Sequence, residues 1–327
     1  MRQSIVFPLR LCVSAALRLC ERFIPTLPQS ESLTMTLEIR LLGPPTFTLS
    51  GQPLQLVRRK SIALLAWLAV TRRPQSREAI TGLIWPEFDH ESSLMNLRRD
   101  LSWLRKTLGD GFVAADRLQI AIEPDAPLWL DVQIFDSALS AVQKHNHPPT
   151  SLCPDCVANL SQAIELYQGD FMAGFSLADS NEFEEWQFFQ REEQRRAAGS
   201  AFEKLCAWHG SQAEYEQGIA AGRRWLGLDP WHEPAHRALM RLYAQADQQA
   251  AALRQYETCR RVLDEKMGVQ PEAETTALYE AIRSRQTRAL YPRPAPRPSM
   301  SHPIQLSRPR LLCCLCPPPL LSGAPRR

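Results

Sequence analysis

The stretch that decides the fold is ESSLMNLRRDLSWLRKTLG, residues 91–109. Leu94, Leu97, Leu101, Leu104 and Leu108 step by three and four residues, the spacing that lines one face of an α-helix, and Gly109 ends the run. With the leucines set against a core, Arg99 lies nearly opposite them. Ser92, Met95, Asn96, Trp103 and Lys106 surround it, and Arg98 and Arg105 sit on the flanks. Taken alone, such a face is the ordinary solvated side of an amphipathic helix. It also carries the groups that read a DNA major groove, where Arg donates two bonds to guanine and Asn pairs bidentately with adenine. The flanking sequence has to decide between the two.

Upstream, LEIRLL (37–42), TFTL (46–49) and LQLV (54–57) are short apolar or alternating runs. Gly43-Pro44-Pro45 and Ser50-Gly51-Gln52-Pro53 separate them, which predicts a small antiparallel sheet. From Arg58 the period lengthens to that of a helix reaching about Val70. Ser76 then stands as the N-cap of a second, short helix carrying Ile80, Leu83 and Ile84 and closed by Pro86. Downstream, Phe112 to Ala115 and Leu118 to Ile122 predict two strands joined by a tight turn at Asp116-Arg117.

Sheet, three helices and hairpin is the element order of a winged helix-turn-helix. In that frame the polar face of the third helix enters the major groove, and Arg117 at the hairpin tip reaches the backbone or the minor groove. The candidate DNA-contacting residues are Asn96, Arg98, Arg99, Trp103, Lys106 and Arg117, with Ser76 and Arg77 at the start of the second helix. Two basic groups, Arg58-Arg59-Lys60 and Arg72-Arg73 with Arg77, are open either to phosphate contact or to a purely solubilising role.

Beyond Phe135 nearly everything reads helical, with breaks at His147-Pro148-Pro149, Gly169 to Gly174, Gly210, Asp229-Pro230 and Gly268 to Pro271. Leu205 and Trp208 recur 34 residues on as Leu239 and Leu242, and Arg223-Arg224-Trp225-Leu226 recurs 37 on as Arg260-Arg261-Val262-Leu263. Such a degenerate unit of two helices and a stop predicts tetratricopeptide-like stacking, although the full consensus is missing. The expected organisation is therefore an α+β winged helix over 35–134 and an all-α tetratricopeptide-like domain over 135–286, between disordered ends at 1–34 and 287–327.

Composition agrees with two folded units. The 327 residues are 44% hydrophobic and 22% charged, which excludes a wholly disordered chain, a collagen and a coiled-coil rod. The net charge of +3 is unevenly placed. Residues 35–134 carry twelve basic and eleven acidic groups, 135–286 carry fifteen and twenty-two, and 287–327 carry seven and none. A winged helix so nearly neutral must rely on a polarised surface to hold DNA.

Nine irregularly spaced cysteines do not make a disulfide framework and suit a reducing cytoplasm. Five of them, Cys12, Cys20, Cys313, Cys314 and Cys316, fall in the two ends. Arg10 and Arg18 interrupt the apolar start of the chain, against a signal peptide, and Met35 just ahead of the first strand makes residues 1–34 read as an extension or a mis-assigned start. No run reaches the roughly 18 apolar residues of a spanning helix, so no membrane partner is expected.

SREAITGLIWPEF, SSLMNLRRDLSWLRKTLG and WLDVQIFDSAL together resemble the OmpR-type winged helix of the antibiotic-regulatory-protein (SARP) activators. LYQGDFMAGFSLADSNEFEEW, REEQRR, GLDPWHEPAHRALMRLYAQ and QYETCRRVLDEKMGVQPEAETTALYEAI resemble the bacterial transcriptional activator domain that follows it in that family. The two halves in this order are more specific than either alone, and they cover about 36–286. The resemblance implies a sequence-specific activator that binds promoter repeats in double-stranded DNA as a side-by-side homodimer. It also implies that the loop Trp85 to His90 contacts RNA polymerase, and it places Asn96, Arg98, Arg99, Trp103 and Lys106 on the recognition helix. The glycine-tyrosine often found in the family's wing is missing from FVAADRLQIAIEP, which weakens the assignment of Arg117. Larger relatives append an ATPase module, but no G-x-x-x-x-G-K-[ST] occurs here.

Other chemistry is sparse. Cys153-Pro-Asp-Cys156, with His145 and His147 nearby, has a spacing at which two thiolates can face one metal ion. It is also open to reading as a redox pair or as plain cysteines at a helix start, and the last is favoured, so no metal and no cofactor are assigned. Glu182, Glu184, Glu185, Glu192 and Glu193 read as the wet edge of a helix whose Phe183, Trp186 and Phe189 face the core. No nucleophile elbow, zincin pair or catalytic carboxylate pair stands out, so no enzyme is expected. The competing reading is a helical-repeat adaptor that binds proteins through 150–286, with the winged helix reduced to an interaction module; its acidic balance favours it. A DNA-binding regulator remains the first expectation.

Overall fold

The structure, a computed structural model, describes residues 35–145 and 151–284. The expected disordered ends, their cysteines and His147 lie outside the described residues. Strands β1 (Leu37–Arg40), β2 (Thr46–Leu49) and β3 (Gln52–Pro53) form an antiparallel meander. Helices α1 (Arg59–Thr71), α2 (Arg77–Ile84) and α3 (His90–Leu108) follow, with the two-residue β4 (Gln75–Ser76) between α1 and α2. β5 (Val113–Ala115) and β6 (Gln119–Ile122) make the hairpin, and β4 joins it to give the order β4-β6-β5.

The third strand lies earlier than expected: Gln52-Pro53 closes the meander, Leu54 N still donates to Phe47 O of β2 at 2.8 Å, and Val57 is largely exposed. A further strand, β7 (Leu128–Leu130), pairs in parallel with β1 and completes the sheet β3-β2-β1-β7.

The second half contains α4 (Asp131–Lys144), α5 (Pro154–Leu166), α6 (Asn181–Ser211), α7 (Tyr215–Leu228), α8 (Glu233–Gln245), α9 (Gln249–Met267) and α10 (Ala273–Arg283). From α6 onward each helix packs on the next, as tetratricopeptide-like stacking requires. The stack is close because α7 turns glycines toward α8: a Cβ added at Gly222 would lie 2.8 Å from Leu239 Cδ2, and one at Gly218 would lie 2.9 Å from Leu242 Cδ2. The recurring Leu205, Leu239 and Leu242 are all buried in this core. In α6 the expected apolar stripe is displaced. Phe183 and Gln187 are buried and Trp186 is half-buried, but Phe189 is exposed beside Phe188, because Gln187 occupies the inward position and donates to Met172 O and Phe175 O.

One apolar core runs through both halves. It takes in Leu37 and Ile39 of β1, apolar residues of α1, α3 and the hairpin, and also Phe135, Tyr167, Phe171, Phe183 and Ala198. The loop 168–173 lies along the end of β1: Gln168 N donates to Leu42 O at 3.0 Å and Met172 N donates to Leu41 O at 2.7 Å. Gly43 turns the chain at this corner with φ +138°, a conformation that other residues rarely adopt. Asp131 at the start of α4 secures the same corner, its Oδ2 accepting from Leu41 N and Leu42 N at 2.8 Å each. Trp67 of α1 meets Trp186 of α6 edge to face at 4.9 Å between centroids. Among the described residues no helix is long and apolar enough to cross a membrane.

Candidate nucleic-acid interface

α3 begins where Asp89 accepts from the N–H groups of Glu91 and Ser92 at 3.0 Å each, and these bonds hold the Asp89 carboxyl below its usual range. Ser93 fastens the preceding loop, its Oγ donating to Trp85 O at 3.1 Å. Leu97, Leu101, Leu104 and Leu108 are buried, while Leu94 is half-buried at the mouth of a groove. The inward face also takes a charge that the leucine spacing does not show. Asp100 is 2% exposed and accepts from Arg58 Nη1 and Ser61 Oγ at 3.1 Å each.

The exposed arc of α3 runs through Met95, Arg98, Arg99, Ser102 and Lys106. Arg98 stands on the side nearest the hairpin, where it lines a groove together with Ser76, Arg77, Leu94, Arg117 and Leu118. Arg98 and Lys106 line the adjoining concavity with Arg77, Ser102 and Arg105. Asn96 and Trp103 lie toward the opposite edge, both half-buried; Trp103 packs against the core, and the Arg58 guanidinium covers its ring at 5.4 Å. The structure thus brings Arg98, Lys106, Ser76, Arg77 and Arg117 around one concave surface, leaves Arg99 on the open arc, and sets Asn96 and Trp103 apart from them.

The hairpin is held against α2. Arg77 donates from Nε and Nη2 to Asp116 O at 2.9 and 2.8 Å, and Ser76 Oγ caps α2 by accepting from Ala79 N at 3.0 Å. Asp116 accepts from Gln119 N and Leu118 N at 2.7 Å each, bonds that hold its carboxyl below the usual aspartate range. The turn therefore centres on Arg117-Leu118, one residue later than the sequence spacing suggests, and both side chains are exposed. Arg105 spans the other flank, donating to Val113 O from Nε at 3.3 Å.

The first basic triplet is occupied inside the protein. Arg58 serves Asp100, Arg59 Nε donates to Ser176 O at 3.1 Å, and Lys60 pairs with Glu87. Lys60 also lies over the rings of Trp85 and Phe88 at 5.9 and 5.5 Å. Arg72 bonds Gln133. These partners lie 27 to 117 residues away, so no local pattern could have announced them. In the loop between α2 and α3, Trp85 is buried and 86–90 are exposed.

Residues 130–283 match the bacterial transcriptional activator domain family. The transcriptional regulatory protein EmbR of Mycobacterium tuberculosis is 24% identical over 270 residues, which cover 79% of this chain and 66% of EmbR. The transcriptional regulatory protein MoaR1 of the same organism is 25% identical over 259 residues, covering 75% of this chain and 78% of MoaR1. Among solved structures, M. tuberculosis EmbR in complex with a low-affinity phosphopeptide superposes with a TM-score of 0.58 at 23% identity, over 77% of this chain and 66% of that one. The chain thus spans just under two thirds of EmbR. A winged helix running directly into a segment that matches the bacterial transcriptional activator domain, together with the likeness to EmbR and MoaR1, supports a SARP-type transcriptional regulator.

Proposed function

We propose that the chain regulates transcription by binding promoter DNA, with α3 in the major groove and the β5–β6 hairpin beside it, and that it acts as an activator. The observation that carries this reading is the convergence of Arg98, Arg77 and Arg117 on one groove between α3 and the hairpin, continued along α3 by Lys106. Glu78 and Asp116 share that lining, so the reading rests on the placement of the three arginines between α3 and the fastened hairpin and not on a large excess of charge. Arg98, Arg99 and Lys106 are assigned to the groove floor and its phosphates, Arg117 to the hairpin contact, and Ser76 and Arg77 to the adjoining backbone and the support of the hairpin. Asn96 and Trp103 are assigned to the far edge, where Trp103 with Arg58 fixes the roll of α3. The exposed loop 86–90 is the surface offered to RNA polymerase, and two chains side by side would read a repeated site. No catalytic step is assigned.

The test selects bound fragments from random DNA and then measures affinity in rising salt. Arg98→Ala should cost about 1–3 kcal/mol and relax specificity at one base pair. Arg117→Ala should weaken all sequences alike and lower the salt slope by about one. Unchanged affinity in Arg98→Ala and Arg99→Ala together would remove α3 from the interface. Absence of any salt-dependent complex would favour the helical adaptor.

A further inference from the structure

The connection between α4 and α5 brings three soft donors together. His145 follows the last residue of α4, and Cys153 is the N-cap of α5, with Pro154 at the first helical position and Cys156 in the first turn. His145 Nδ1 lies 3.4 Å from Cys153 Sγ and 3.4 Å from Cys156 Sγ, and all three donor atoms fall within 4.8 Å of one another. Zinc binds thiolate at about 2.3 Å and imidazole at about 2.0–2.1 Å, so the sulfur–nitrogen edge of a tetrahedral zinc site is about 3.5 Å. Both observed edges have that length.

The local fold explains why the three meet. The Cys-x-x-Cys spacing across a helix start turns both sulfurs to one side, and the Cys156 amide donates to Cys153 Sγ at 3.4 Å, fixing that side chain. Cys156 is buried, Cys153 half-buried and His145 exposed, so the cluster has a dry inner wall and an open outer one.

We propose that His145, Cys153 and Cys156 form a zinc(II) site that clasps the end of α4 to the start of α5. The ion takes its remaining donor from outside these three residues. Zinc suits a mixed sulfur and imidazole set, and each thiol gives up its proton on binding. The site lies away from the α3 groove, so it stabilises the first helix pair of the activator domain rather than touching DNA.

The full-length chain, purified under reducing conditions, should hold about one zinc per molecule. After metal removal, cobalt(II) should restore the thiolate-to-metal charge-transfer band and the intense visible bands of a tetrahedral site. Cys153→Ser and His145→Ala, both at side chains that are not fully buried, should lose the band and the zinc while keeping the wild-type far-ultraviolet circular dichroism. Zinc should also slow alkylation of Cys153, followed peptide by peptide. Cys206 and Cys259 serve as references, since burial pushes their thiols up to about 12. A wild-type chain that takes up neither metal, or that retains equal metal in Cys153→Ser, would overturn the assignment. So would alkylation of Cys153 that zinc leaves unchanged.

Discussion

Removing the side chain of Asp131 should reveal how strongly the two halves are joined. Its Oδ2 takes the N–H groups of Leu41 and Leu42, and its Oδ1 takes that of Val132 at 2.8 Å. Leu41 and Leu42 are 0% and 2% exposed, so no water replaces the lost acceptor. Each stranded buried donor costs about 1–3 kcal/mol, which for Leu41 and Leu42 together puts Asp131→Ala at about 2–6 kcal/mol. Charge is not the source of that stability. Burial holds the Asp131 carboxyl above its usual range in spite of the three donors. Asp131→Asn keeps an oxygen for Leu41 and Leu42 and should therefore recover most of the loss, remaining within about 1 kcal/mol of wild type. Urea unfolding followed by circular dichroism gives both values. An alanine variant within about 0.5 kcal/mol of wild type would show that the two N–H groups find other acceptors and that the corner does not depend on this residue.

Gly222→Ala drives a methyl into Leu239, and its overpacking of about 1–3 kcal/mol should outweigh a helix gain of about 1 kcal/mol, while Gly227→Ala in the same helix meets nothing within 4 Å and should raise the melting temperature. Arg77→Ala removes both bonds to Asp116 O; it should leave stability nearly unchanged, yet weaken binding to a selected DNA fragment roughly fivefold, which a gel shift reads. Burial lowers the pKa of His236, whose Nε2 sits 2.9 Å from Pro230 O and whose Nδ1 sits 2.7 Å from Gln255 Nε2. The folded chain then binds fewer protons than the unfolded one below about pH 6.5, so stability held at neutral pH should fall as pH drops through that value. Thermal melts of wild type and His236→Gln between about pH 7 and pH 5 should show the smaller slope in the variant.

The third helix was legible to within a residue, from about Glu91 to Gly109, because its signals are local, a leucine period and a glycine stop; the Asp89 cap and the start at His90 are what the structure adds. What the sequence hid depends on distant partners. β7 is three residues long and becomes a strand only by lying parallel to β1, some ninety residues earlier. Asp100 looks like part of a polar face until Arg58 and Ser61 are brought to it, and Trp103 turns toward the core for the same reason. Arg58, Arg59 and Lys60 resemble a phosphate-binding cluster by composition, and the structure adds that each already has a distant partner within the chain, in Asp100, the Ser176 carbonyl and Glu87. The cysteine pair was visible as a spacing, but that His145 at the end of α4 meets both thiols is seen only in the structure.

The Trp67–Trp186 contact and the core around it have a mechanical consequence. The winged helix is not a bead on a string. On the proposed function, α3 seated on a duplex would carry the helical array along at a fixed attitude, like the bow of a key. The spacing of two copies on neighbouring sites would then follow from the breadth of the array and not from the slack of a tether. Cutting the chain at 134 to isolate the winged helix would leave a raw apolar wound where Phe171 and Phe183 had been.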